Sequence, residues 1–140
     1  MTPPYAPENL LELSNDGLYR CESNRIDTLI AQAQAGGVDV RCIELADCRD
    51  KADLLERIAA TLAFPAWFGH NWDALADCLA DLGWLPDASA RMFVFEHLDA
   101  TREPGTTLLD ILSERADDLG ADAPPLWLLV TDPISDPKHT

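Results

Sequence analysis

The 140-residue sequence predicts an α/β fold on a small parallel β-sheet of three core strands, with a fourth available from the N-terminal extension, all packed with helices. Three observations predict it. Met92-Phe93-Val94-Phe95 and Leu126-Trp127-Leu128-Leu129-Val130 are short, continuously apolar and flanked by turn residues, the pattern of strands covered on both faces. Apolar residues recur at helical spacing between them and upstream. Buried strands that alternate with helices are joined by crossovers, which makes the sheet parallel.

Each element has its own local signal. Residues 1–16 carry Pro3, Pro4 and Pro7, after which Gly17 to Cys21 is predicted as a short strand. Ser23-Asn24 offers caps for a helix that buries Ile26, Leu29, Ile30 and Ala33 and stops at Gly36-Gly37. Val38, Val40 and Cys42 alternate while Ile43 and Leu45 shift phase, predicting a bulged strand over 38–45. Asp50 caps a helix with Leu54, Leu55, Ile58, Ala59 and Leu62 inward, and Asn71 caps another with Leu75, Leu79 and Leu82 inward, ending at Gly83. A last helix near 106–119 buries Leu108, Leu109, Ile111, Leu112, Ala116 and Leu119 and stops at Gly120. Residues 132–140 form a polar tail expected to fray.

Composition narrows the function. With 47% apolar residues the chain can bury roughly two-thirds of its unfolded surface without metal or disulfide staples. Its 25 acids against 10 Lys and Arg give a formal charge of −15, which withholds electrostatic support from direct nucleic-acid binding and steers the protein toward cationic partners. Cys21, Cys42, Cys48 and Cys78 show no C-x-x-C pair and no histidine cluster, so they read as reduced thiols of a cytoplasmic protein with no metal and no cofactor. No charged start leads into an apolar run and no stretch of 18 apolar residues occurs, so neither export by that route nor a membrane span is expected.

The acids fall into two stripes. On a wheel, Asp73, Asp77 and Asp81 lie together opposite Trp72, Leu75, Leu79 and Leu82, with no lysine or arginine among them. Asp110, Glu114 and Asp118 repeat the arrangement on the last helix, where Arg115 partly offsets Asp118. Like charges at this spacing destabilise a helix by about a few tenths of a kcal/mol each. Only Asp73, in a first turn, is favoured by the helix dipole. Such stripes suit either a solvated surface or a docking face for a cationic partner. Trp67, Phe68, Trp72 and Trp84, crowded around one turn, favour docking, since tryptophans beside acids anchor protein interfaces. Phe68 and Trp72 are expected in the core and Trp67 outside it.

Other chemistries find weaker support. Asp73 with Asp77, or Asp77 with Glu114, could act as acid and base beside His70, but exposed carboxylates one turn apart both stay ionised, so no enzyme is expected. His70, Asp73 and Asp77 lie along one helix edge without a second histidine, a poor metal set. Cys78 lies at the boundary of the apolar face and reads as a structural thiol.

The segment Phe64-Pro65-Ala66-Trp67-Phe68-Gly69-His70-Asn71-Trp72-Asp73-Ala74-Leu75-Ala76-Asp77-Cys78-Leu79 resembles the signature of the barstar family of intracellular ribonuclease inhibitors. At lower fidelity the resemblance extends from Val38 to Thr131, implying a barstar-like domain over 38–131, an N-terminal extension over 1–37 and a flexible tail over 132–140. It implies that the helix after this turn plugs the active site of a cationic ribonuclease or related toxin, its carboxylates mimicking RNA phosphates. By position, Asp77 becomes the principal anchor, Asp73 the adjacent acidic contact, Trp67 the aromatic over a catalytic histidine, Asn71 the cap, and Glu114 a later acidic contact. Asp81 and Trp84 complete the expected partner-binding face. The chain departs from the family at His70, where an acid is common, and at Ala76, where a large aromatic contact is common. A non-inhibitory acidic interaction module is the alternative. The first 37 residues add either a sheet edge or a second contact surface.

Overall fold

Strands from four stretches of the chain join one parallel sheet in the order β1-β4-β3-β2. In chain order the elements are β1 (Gly17–Arg20), α1 (Ser23–Ala35), β2 (Asp39–Glu44), α2 (Lys51–Thr61), α3 (Trp72–Asp81), β3 (Arg91–Glu96), α4 (Gly105–Asp117) and β4 (Leu126–Val130). The computed structural model describes residues 3–8, 10–11, 16–66, 68–119 and 124–133. The expected stop at Gly120, the orientation of Trp67 and the tail from 134 lie outside them.

The two continuous apolar runs are the central strands. Side-chain alternation divides them between two cores. Phe93, Phe95, Leu128 and Val130 pack with the inner faces of α2, α3 and α4, while Met92, Val94, Trp127 and Leu129 pack with α1 and the N-terminal segment. The chain runs from β1 across to the far edge at β2 and then steps back through β3 to β4. Right-handed crossovers in opposite directions put α1 on one face and the other helices on the opposite one.

The extension is built into this fold, its β1 pairing Arg20 with Val130 at the sheet edge. The indole of Trp127 donates to the Leu10 carbonyl at 2.7 Å, and Arg25 donates to the carbonyls of Ala6 and Pro7 at 2.6 and 3.1 Å. Ala6 and Leu10 are buried as a result.

Several local expectations need correction. No bulge is present in β2, since Asp39 to Glu44 pair one-to-one with Arg91 to Glu96. The shifted phase at Ile43 and Leu45 has another origin: this strand is an edge, so its even-numbered Cys42 and Glu44 are left exposed. Helix α1 starts after Glu22, which makes no side-chain cap, so Ser23-Asn24 do not cap it. Helix α3 ends at Asp81 with Leu82, not Gly83, in the left-handed conformation at φ 56°. Helix α4 occupies Gly105–Asp117, starting one residue and ending two residues before the expected bounds. The caps at Asp50 and Asn71 are as expected.

Candidate functional site

Helix α3 is held from both ends and from below. The Asn71 side chain, the cap, accepts from the Ala74 amide at 2.8 Å and donates to the Gly69 carbonyl at 3.4 Å. At the other end the Leu82 amide donates to the Cys78 carbonyl. Leu75, Cys78 and Leu79 are buried, which fixes the opposite face toward solvent. Asp73 and Asp77 lie on that exposed face, with Ala76 half-buried beside them. Among the described residues neither carboxylate has an ion pair or a hydrogen-bond donor. Asp81, also exposed, is partly engaged: its carboxylate accepts from the Gly83 amide at 3.2 Å.

The preceding turn is an aromatic brace. Phe64 meets Phe68 edge-on at 4.8 Å and Trp84 edge-on at 5.6 Å. The Trp84 indole donates to the Leu62 carbonyl at 3.0 Å, tying the turn after α3 to the end of α2. This half-buried indole is therefore a strut as well as a candidate contact. Phe64 is a further member of this brace, and its place two residues after Leu62 and four before Phe68 is its signal in the sequence. His70, exposed and at φ 52°, lies over Phe68 with ring centroids 4.8 Å apart. Phe68 is buried as expected, and Trp72 packs against the same core while remaining half-buried, with the Lys51 Nζ 5.6 Å from its ring centre.

Helix α4 packs beside α3 and presents the second stripe. Asp110, Glu114 and Asp118 are all exposed. Arg115 does not pair with Asp118 among the described residues. Its Nε is buried without a hydrogen-bond partner, in a cleft it shares with Asp81, Asp87 and Arg91. The two stripes are thus borne on adjacent helices.

The thiol under the first stripe is shielded. Burial pushes Cys78 above the usual thiol range, and the charges of Asp77 and Asp81 push the same way. A thiol so placed is held protonated and out of contact with solvent. Among the described residues no group of three His, Cys, Asp or Glu is arranged to hold a metal ion, and no helix is long and apolar enough to cross a membrane.

Fold and site together define a small parallel α/β protein that presents a rigid acidic helix beside an aromatic turn. A model of the Barstar (barnase inhibitor) family matches residues 38–131, and the chain belongs to that family. The matched segment carries β2, α2, α3, β3, α4 and β4 and the whole acidic face. A comparison with curated proteins gives no match.

Proposed function

We propose that the protein is a cytoplasmic inhibitor of a small cationic ribonuclease, or a related toxin, and acts by occluding its active site with α3. One observation carries this reading: in a chain of the barnase-inhibitor family, Asp73 and Asp77 lie exposed on a doubly capped helix and make no ion pair among the described residues. Carboxylates on a fixed helix can take the places of RNA phosphates against the arginines, lysines and histidines of a ribonuclease. No catalysis by the inhibitor is needed. Asp77 is the central anchor, Asp73 and Asp81 flank it, and Glu114 on α4 extends the contact. Asn71 fixes the start of the helix, Ala76 leaves room between the acids, and Trp67 and Trp84 supply apolar contact at the rim. The net charge of −15 draws the cationic partner in. Four free cysteines suit a reducing compartment.

Titration of the purified protein into activity assays of several small basic ribonucleases tests the reading. Stoichiometric silencing of one of them is expected. Binding that leaves the enzyme active would identify an acidic interaction module instead, and absence of binding to any cationic nuclease or toxin would overturn the proposal.

A further inference from the structure

The carboxyl edge of the sheet holds a cavity of about 250 Å³ that shares no residue with the acidic face of α3. It lies where β1 and β4 end side by side, between the connection that leaves β1 for the far edge and those that step back through β3. In open α/β sheets a reversal of this kind leaves a crevice outside the strand ends in which ligands bind.

The residues around it have a definite chemistry. Arg20, the last residue of β1, lines the cavity, and its Nε is buried with no hydrogen-bond partner. Its guanidinium lies over the Tyr5 ring, 4.3 Å from the centre. That position is fixed by the backbone: Tyr5 and Arg20 form a parallel bridge, with the Arg20 amide donating to Pro4 and the Ala6 amide donating to Arg20 at 2.7 and 2.8 Å. Tyr5 is itself 54% exposed, a large ring left in solvent. In a protein of charge −15, this arginine meets no carboxylate or carbonyl among the described residues. Thr131, 2% exposed, also lines the cavity, and its hydroxyl accepts from the His97 amide at 2.8 Å. Leu98, Leu109 and Val130 make the rest of the wall largely apolar. Asp132, also in the lining, adds a negative charge that disfavours a dianion more than a monoanion.

We infer that this cavity binds a carboxylate carried on a short apolar group, the carboxylate against Arg20 and the apolar part against Leu98, Leu109 and Val130. A guanidinium held over a ring is restrained in position, and its fork of donors matches a planar carboxylate. The ligand is either a free short-chain acid or the C-terminal carboxylate of a polypeptide ending in an apolar residue.

The test is a two-dimensional amide NMR titration of the full-length protein with hexanoate, with hexanamide, and with acetyl-Ala-Ala-Leu as free acid and as amide. Saturable shifts at Arg20, Leu98 and Thr131 are expected with both acids and not with the amides. Arg20→Gln should weaken acid binding by about tenfold or more, the loss of a charge-assisted hydrogen bond. Tyr5→Ala, a change at an exposed ring, should weaken it several-fold through the loosened guanidinium, and serves if Arg20→Gln fails to fold. A peptide acid that binds more tightly than hexanoate assigns the site to a polypeptide terminus, and the reverse order assigns it to a free acid. Absence of saturable shifts at these amides, equal shifts with the amide compounds, or undiminished binding by a folded Arg20→Gln would each overturn the inference.

Discussion

The imidazole Nδ1 of His97 stands 2.7 and 2.9 Å from the two carboxylate oxygens of Glu44, so the end of β3 is clamped to the end of β2 by a side-chain pair. In the sheet register Glu44 also faces Glu96. Burial raises the Glu96 carboxyl above its usual range, the charge of Glu44 raises it further, Asp27 adds a smaller push the same way, and His97 opposes them.

A pH dependence follows from Glu96. Between the ordinary glutamate value and the raised one, the folded protein binds more protons at Glu96 than the unfolded chain does, so this residue's contribution makes stability fall as pH rises through that window. Above the window the full penalty is present. Glu96→Gln should therefore be more stable than wild type near neutral pH, with the advantage shrinking as pH falls through that window and gone below it. Urea unfolding of both proteins across pH 4 to 7 reads the difference, and a Glu96→Gln protein less stable at pH 7 would contradict the assignment.

Gly105 carries a packing constraint. A Cβ there would lie 1.9 Å from the Asp99 carbonyl oxygen and 2.8 Å from its carbon, and backbone cannot swing aside as a long side chain can. Gly105→Ala should destabilise the fold by about 3 kcal/mol, at the upper end of overpacking effects, and lower the Tm by about 10 °C. A melting curve within a degree of wild type would show that the Ala100 to Pro104 turn yields.

Asn71 separates helix capping from partner contact. Its side chain satisfies the Ala74 amide, so Asn71→Ala should lower stability by about 1 kcal/mol, whereas Asn71→Asp, which keeps the acceptor, should leave stability nearly unchanged. Thermal melts of the two variants check this. A loss of partner binding common to both variants would show that the amide group of Asn71 itself touches the partner.

What the sequence disclosed and what it hid divide on physical grounds. Met92 to Phe95 and Leu126 to Val130 were legible because central parallel strands must be apolar on both faces. The stripes were legible because burial of Leu75, Cys78 and Leu79 forces Asp73 and Asp77 outward. The phase shift in β2 imitates a bulge because an edge strand has fewer neighbours to impose strict alternation. The left-handed Leu82 was hidden because glycine is the usual residue there, and the adjacent Gly83 drew the assignment. The bracing role of Trp84 is not legible in sequence, since an indole that donates to Leu62 depends on a contact 22 positions away. Arg20 gave no signal in sequence, because its setting depends on Tyr5 folding back along β1.

Salt should act on association with a cationic target. Steering by exposed charge is screened beyond about 8–10 Å at physiological ionic strength, so the association rate should fall steeply from low to physiological salt while dissociation changes less. Stopped-flow mixing at several salt concentrations measures both. Tight binding with a flat association rate would remove the stripes as the docking surface.

The last prediction compares carboxylates that net charge treats as equivalent. Asp77→Ala should weaken binding to the target by about 2–5 kcal/mol, because it leaves a desolvated cationic cluster of the partner without its counter-charge. Glu56→Ala, an exposed acid on α2 away from the stripes, should cost under about 1 kcal/mol. Asp73→Ala and Glu114→Ala should fall between them, Asp73 nearer to Asp77 because it shares the helix. Trp67→Ala should also weaken binding, through apolar area, so its effect should vary little with salt. The Asp77 variant should fold at least as well as wild type: its side chain is exposed, its removal relieves repulsion from Asp73 and Asp81, and alanine is the better helix former. Calorimetric titration of each variant into the target, with a thermal melt of each alone, separates binding from folding. Should Asp77→Ala bind like Glu56→Ala, the phosphate-mimic role of α3 fails even with the family and the fold unchanged.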